Sequence, residues 1–255
     1  MNPIKAMIFE YVIPFLGAVC RQKNQFVNVI YYHDIVKGEG YGSQQTNLEL
    51  FKKQMRYIKE NGYQTLTFEE LDKDCTWHDK TVLITFDDGW KSNYTEIFAL
   101  MKELGIKYNI FLEAGNVGTH EDYLTWDMVR EMYASGLVGF GAHTYTHPDM
   151  SDISKIDPNK EFYEANKKIT EETGIIPKDF CYPFGKWSLG SNRYILANTE
   201  YTRIYTSNML YSYQQDGKIV FGRSSINGDR PFGVFKHMVK GNYNSFDAVR
   251  RARYE

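Results

Sequence analysis

The chain has 255 residues, 42% of them hydrophobic and 24% charged, with a formal net charge of −2. This is the composition of a globular protein with one large core, and it excludes a disordered or low-complexity chain. The near-neutral balance argues against the basic footprint of a nucleic-acid binder.

The 20 Tyr, 16 Phe and 4 Trp are mostly core material, compatible with a sugar-binding cleft without showing one. Cys20, Cys75 and Cys181 are too few and too widely spaced for a disulfide framework or a cysteine metal site, and lean toward a reducing compartment.

In chain order, residues 6–20 are mostly apolar but interrupted by Glu10 and Pro14, and shorter than the ~20 residues of a membrane span. They read as a short amphipathic helix within residues 1–22, packed on the domain or lying on a membrane surface, rather than as a signal peptide. The expected location is cytoplasmic or membrane-associated rather than secreted. Residues 23–255 read as a single domain.

Phe26–Tyr32 reads as a buried strand. Thr46-Asn47-Leu48-Glu49 has capping-box spacing and leads a helix with Phe51, Met55 and Ile58 on one face, stopped at Gly62. Thr81–Phe86 is a continuous apolar strand. A helix over about 93–104 ends at Gly105, and Tyr108–Leu112 is the next strand. Trp126–Ser135 is helical and ends at Gly136, Leu137–Gly141 is a glycine-rich strand, and residues 158–173 form a helix ended by Gly174. Strand-like pieces return at Phe180–Tyr182, Thr202–Thr206 and Ile219–Arg223; residues beyond about 228 are left unassigned.

Continuous rather than alternating apolar strands imply burial on both faces, the pattern of parallel sheets covered by helices. Repeated β-then-α order fits a barrel or a doubly wound sheet, and both place their chemistry at the C-terminal ends of strands. Four motifs fall there. Asp87-Asp88-Gly89 follows the second strand; two adjacent carboxylates repel, and a dication would relieve them. His143 and His147 follow the fourth strand, and two imidazoles with one carboxylate are a ligand set of hydrolytic metals. Tyr182-Pro183-Phe184-Gly185 is a turn whose backbone N–H groups suit an oxyanion. His33, with Asp34 beside it, suits a proton donor. Each alone also reads as something plainer: a solvated turn, a surface histidine pair, a simple Pro-Phe-Gly turn, or a packed histidine.

Taken in order over residues 27–225, these motifs resemble the polysaccharide deacetylases of the NodB-homology family (carbohydrate esterase family 4). Tyr31–Asp34, Leu124–Asp127 and the run into His143 bring the likeness closer to the branch acting on poly-β-1,6-N-acetylglucosamine and related exopolysaccharides. The resemblance implies a distorted (β/α) barrel with parallel strands inside and helices outside. It implies a carbohydrate substrate and removal of N-acetyl groups as acetate. It also implies a divalent metal, zinc before cobalt, nickel or manganese, on Asp88, His143 and His147. Asp87 would be the base, and Phe184, Pro183, Tyr182 and Trp126 would bind substrate, with the Phe184 N–H as oxyanion donor and Trp126 lining the acetyl pocket.

Two departures rearrange the family pattern. Cys181 stands where an arginine usually orients the base, and Arg223 is the candidate replacement. The usual C-terminal acid histidine has no good match, since His237 fits poorly, so His33 takes that role. The His143–His147 spacing is that of the wider family rather than of the branch. The same centre acting on another acyl ester or non-peptide C–N bond, or a non-catalytic glycan-binding domain, are the alternatives.

Overall fold

The computed structural model describes residues 26–38, 44–71, 80–207, 212–226 and 230–243, with the single positions 12, 42 and 228. The expected helix within residues 1–22 lies outside the described residues. Among those described, no helix is long and apolar enough to cross a membrane.

The strand Thr81–Phe86 (β5) is buried at all six positions. It can be, because it has a partner on each edge and a packed layer on each face. Asn28–Tyr32 (β1) runs parallel along one edge, with Val29 opposite Leu83 and Tyr32 opposite Phe86. The other edge is shared. Gln64–Thr65 (β4) pairs with Thr81–Val82, and Tyr108–Leu112 (β6) takes over at Thr85–Phe86. Val138–Ala142 (β7), Asp179–Cys181 (β8), Arg203–Thr206 (β9) and Lys218–Ser225 (β11) continue the parallel order. β11 then pairs with β1, so the sheet closes into a 7-strand barrel. Closure decides between the two architectures that the strand pattern left open.

Side chains alternate across the barrel wall. Ile30, Tyr32, Val82, Ile84 and Phe86 point out into one apolar cluster with the helices. Val29, Leu83, Phe111, Cys181, Tyr205 and Phe221 point in and form a second. The inner cluster has an aromatic layer, with ring centroids 4.9 Å apart for Phe111–Tyr205 and for Tyr205–Phe221. Glycine on β7 makes room for it. A Cβ on Gly141 would lie 2.8 Å from both the Asp179 carbonyl oxygen and Phe111 Cδ1, and one on Gly139 2.4 Å from Asn109 Oδ1.

The helix Leu48–Glu60 (α1) follows two short paired strands, Asp34–Val36 (β2) and Gln45–Asn47 (β3). Its cap corrects the expected capping box by one residue. Asn47 Oδ1 accepts from the Glu49 and Leu50 N–H groups, while Thr46 is buried inside β3. Asn at this position satisfies two of the helix's orphan donors.

Phe68–Leu71 (α2) precedes β5. The single helix expected over 93–104 is two pieces, Ser92–Thr95 (α3) and Phe98–Leu104 (α4). Trp126–Ala134 (α5) starts on the Thr125 cap. The expected helix over 158–173 opens with a π-helical stretch, Asn159–Glu164, before Ala165–Thr173 (α6). Leu189–Asn198 (α7) follows β8. Tyr213–Gln215 (β10) forms an antiparallel hairpin with β11, and Phe232–Val239 (α8) gives the unassigned end a structure. Asn28 Nδ2 donates to the Met238 and Val239 carbonyls, so α8 sits at the start of β1.

Candidate metal and catalytic centre

The centre is built at the C-terminal mouth of the barrel, from the residues that follow β1, β5, β7 and β8 and from the end of β11. Asp87 leaves β5 with its N–H bonded to the Tyr32 carbonyl, which continues the β1–β5 ladder by one rung. The next residue, Asp88, turns into the left-handed region at φ 74°. This reversal sends the two adjacent carboxylates to different partners.

Asp87 receives a bidentate fork from Arg223, with Nη1 to Oδ1 at 2.7 Å and Nη2 to Oδ2 at 2.8 Å. Arg223 is fully buried, lies 4.4 Å from the Tyr31 ring centroid, and also donates to Thr85 Oγ1 and Cys181 Sγ. Burial by itself would raise the Asp87 carboxyl, but the guanidinium outweighs it and holds the group below its usual range. Burial pushes the Cys181 thiol up, so it stays neutral and accepts from Arg223. Arg223, the candidate replacement for the arginine absent at position 181, thus reaches Asp87 from β11, and the Cys181 sulfur takes one of its donors. His33 is 9% exposed, and its Nε2 lies 3.8 Å from Asp87 Oδ2. Asn93 Nδ2 fixes its carbonyl at 3.1 Å.

Asp88, His143 and His147 form a separate trio. Asp88 Oδ1 is 3.4 Å from His143 Nε2 and 3.3 Å from His147 Nε2, and the two nitrogens are 3.2 Å apart. All three separations match the ~3.3 Å edge of a tetrahedron with ligand distances of about 2.0–2.1 Å. His143 Nδ1 lies 2.8 Å from the Cys181 carbonyl, which only accepts, so Nδ1 carries the hydrogen and Nε2 presents its lone pair to the trio. Asp88 Oδ1 is buried with no hydrogen-bond partner.

A buried acceptor without a donor, facing two imidazole nitrogens, fits a cation. The charge balance agrees. Burial opposes ionisation of Asp88, yet the imidazoles of His143 and His147 facing it hold its carboxyl well below its usual range.

Backbone strain concentrates here. Thr144, His147 and Phe184 join Asp88 at positive φ, each costing on the order of 1–3 kcal/mol for a non-glycine residue. A residue the sequence reading missed holds the histidine loop. Glu161, buried in the π-helical stretch, accepts from the N–H groups of Tyr145 (3.0 Å) and Thr146 (2.9 Å) and from Thr146 Oγ1 (2.5 Å).

Trp90 was also missed, although an aromatic directly after Asp-Asp-Gly was its signal; its indole N–H donates to Asp88 Oδ2 at 2.9 Å. Phe184 is 55% exposed, and its ring stands edge-on to His147 at 4.4 Å. Pro183 and Tyr182 are buried beneath it, with the Tyr182 hydroxyl on Asn192.

Trp126 is buried over Gly118, where a Cβ would lie 2.5 Å from its ring. Its link to the centre runs through the backbone, from Gly118 N–H to the Leu124 carbonyl and from Leu124 N–H to the Gly89 carbonyl. His237 lies on α8, at the opposite end of the barrel.

The sequence model described as polysaccharide deacetylase matches residues 74–204, just over half of the chain. The chain belongs to the polysaccharide deacetylase family. It is 30% identical over 168 residues to YxkH of Bacillus subtilis (strain 168), across 63% of this chain and 57% of that protein. It is 26% identical over 185 residues to a poly-β-1,6-N-acetyl-D-glucosamine N-deacetylase of Staphylococcus aureus (strain MRSA252), across 65% and 61%. The matched span is thus less than two thirds of either relative's own length. A solved polysaccharide deacetylase from Bacillus cereus superposes with a TM-score of 0.73 at 25% identity, over 84% of this chain and 69% of its own. The barrel is of the NodB type that such neighbours share.

Proposed function

We propose that this chain is a metal-dependent N-deacetylase of an N-acetylglucosamine-containing saccharide, releasing acetate and a free amine. One observation carries the reading. The mouth of the barrel holds two neighbouring carboxylates in opposite roles, Asp87 locked as an anion by Arg223 and Asp88 converged with two imidazoles. That division of labour suits water-driven amide cleavage. The S. aureus relative named as a poly-β-1,6-N-acetyl-D-glucosamine N-deacetylase supports the substrate class.

Asp88, His143 and His147 would hold the ion, and two nitrogens with one oxygen at tetrahedral spacing suit zinc, with cobalt, nickel or manganese as alternatives. Bound there, a divalent ion would polarise the acetamide carbonyl and acidify a water molecule. The chain's own residues supply the rest. Asp87 accepts a proton from the attacking water; each carboxylate oxygen keeps a lone pair beyond the one engaged by Arg223. The carbonyl oxygen gains negative charge, and the Phe184 N–H donates to it. As the C–N bond breaks, His33 delivers a proton to the departing nitrogen, and the bond electrons leave with the amine. Trp126 and the Tyr182–Pro183 turn confine the acetyl methyl group.

The test is acetate release from N-acetylglucosamine oligomers by zinc-loaded protein. Asp87→Asn should bind zinc with wild-type stoichiometry and release almost no acetate. Full activity in that variant would refute the mechanism.

A further inference from the structure

The two carboxylate oxygens of Asp88 have different surroundings. Oδ1 is buried without a hydrogen-bond partner, 3.4 Å from His143 Nε2 and 3.3 Å from His147 Nε2. Oδ2 accepts the Trp90 indole N–H at 2.9 Å. An indole N–H only donates, so it engages a carboxylate oxygen without competing for a cation.

Trp90 is itself fixed, by contacts that return to Asp88. Tyr123 stacks on its ring with centroids 4.8 Å apart and pairs with its backbone. On either side of that bridge, the Lys91 N–H donates to the Asp122 carbonyl and the Leu124 N–H to the Gly89 carbonyl. The Tyr123 hydroxyl donates to Glu113 Oε2 at 3.2 Å, and Asn116 Nδ2 holds Glu113 Oε1 at 2.7 Å. Glu113 is buried just past β6, and its own N–H donates to the Asp88 carbonyl at 3.2 Å. The circuit through Trp90, Tyr123 and Glu113 closes on the residue where it began. A fixed donor on one carboxylate oxygen fixes the rotation of the whole group.

We propose that Trp90 is a positioning residue that holds Asp88 to ligation through one oxygen, with Oδ1 toward the ion and Oδ2 turned away. The proposal rests on the reading of Asp88, His143 and His147 as a metal centre, and adds to it how that centre keeps its count of oxygen ligands low. A carboxylate free to rotate can place both oxygens on a cation. The extra oxygen ligand favours ions of higher coordination, such as manganese, over zinc. Trp90 thereby tunes which ion the centre prefers.

Trp90→Phe tests this, because it keeps a ring against Tyr123 and deletes the N–H. It should lower zinc affinity ~10–100-fold, the usual worth of a group bonded directly to a metal ligand. Manganese affinity should fall by less, so the zinc-to-manganese ratio drops in chelator competition. The infrared difference spectrum of zinc-loaded minus metal-free protein reads the ligation itself. The splitting between the two carboxylate stretches should be wide in the wild-type protein, as for one bound oxygen, and should narrow in Trp90→Phe. Tyr123→Phe, which keeps the stack and loses the Glu113 bond, should shift ratio and splitting the same way by less. A tryptophan that only fills space would change stability and leave both alone. Unchanged splitting in folded Trp90→Phe overturns the proposal, whatever happens to affinity. Should that variant not fold, the wild-type spectrum decides: a wide splitting sustains the proposal and a narrow one overturns it. Wild-type protein that binds no zinc refutes the metal centre itself, and the proposal with it.

Discussion

The barrel interior contains the same ion pair twice. At the N-terminal end, Arg203 forks onto Asp179, with Nε and Nη2 both at 2.6 Å. At the C-terminal end, Arg223 forks onto Asp87. Both pairs are buried, and an aromatic layer containing Tyr205 and Phe221 lies between them. Their surroundings differ. Asp179 also accepts the Tyr205 hydroxyl at 2.8 Å, and Arg203 also donates to the Phe68 carbonyl, so protein groups close that pair in. Asp87 faces His33 and the Asp88–His143–His147 trio at the mouth. A buried Arg–Asp pair is therefore no sign of chemistry by itself; what lies beyond the carboxylate decides.

Breaking each pair tests this most severely. Removing one partner of a buried pair costs about 3–5 kcal/mol at either end, because a charge is left uncompensated. Only one of the two breaks should touch turnover. Asp87→Asn should lose ~10²–10⁴-fold in kcat, the usual worth of a positioned base. Asp179→Asn should unfold at lower urea concentration, while its folded fraction keeps wild-type kcat. Inactive but folded Asp179→Asn protein would break the comparison.

The active pair also has a pH signature. In the proposed scheme Asp87 must be ionised to act as the base, so activity should fall as pH drops through its pKa, which Arg223 holds low against the burial that would raise it. Arg223→Met removes the guanidinium and leaves burial to dominate, so the pKa rises and the acid limb of kcat/KM moves to higher pH. The linked stability follows the same sign: a depressed carboxylate stabilises the fold above its unfolded pKa, and loses that contribution as pH falls through the folded value. A pH–rate profile at saturating zinc reads the shift.

How much of this was legible follows from what each residue contacts. β5, β6 and β7 announce themselves as continuous apolar runs because both of their faces are buried. Asp87, Asp88, His143 and His147 stand out because their spacing is local to strand ends, and Arg223 was reachable only as the replacement for an arginine missing at Cys181. Glu161 was not legible: it acts on backbone N–H groups about fifteen residues away, and in the sequence it is one more acidic residue in a helical stretch. The break between α3 and α4 carries no Gly or Pro, so nothing local marks it. Closure of the barrel depends on β1 pairing with β11 across most of the chain, a contact that strand patterning does not encode.

Glu161 sharpens the comparison from outside the barrel. The N-terminal pair is held within the lumen and by the Phe68 backbone, whereas the histidine loop hangs on a carboxylate of the π-helical stretch. Glu161→Gln keeps the shape but cannot accept from all three donors as an anion does. Groups that hydrogen-bond a metal ligand directly are typically worth ~10–100-fold in metal affinity; Glu161 acts one step further out, on the backbone between His143 and His147, so a loss toward the lower end of that range is expected. Competition with a chelator measures it without reference to activity. Unchanged affinity would mean that the strained loop holds its own shape.

The smallest expected effect belongs to Cys181, which lies two residues beyond Asp179 on β8 and so joins the two ends along one strand. Its sulfur accepts from Arg223 at 2.9 Å and its carbonyl from His143 at 2.8 Å. Only the sulfur contact depends on the side chain. Cys181→Ala leaves a buried guanidinium donor unsatisfied and should cost roughly 1–3 kcal/mol. Cys181→Ser restores an acceptor in the same place and should recover most of that loss, in urea denaturation and in kcat together. If serine is no better than alanine, the thiol only fills space, and Asp87 alone sets the position of Arg223. Recovery by serine would instead make β8 the element that closes one pair at its start and steadies the other at its end.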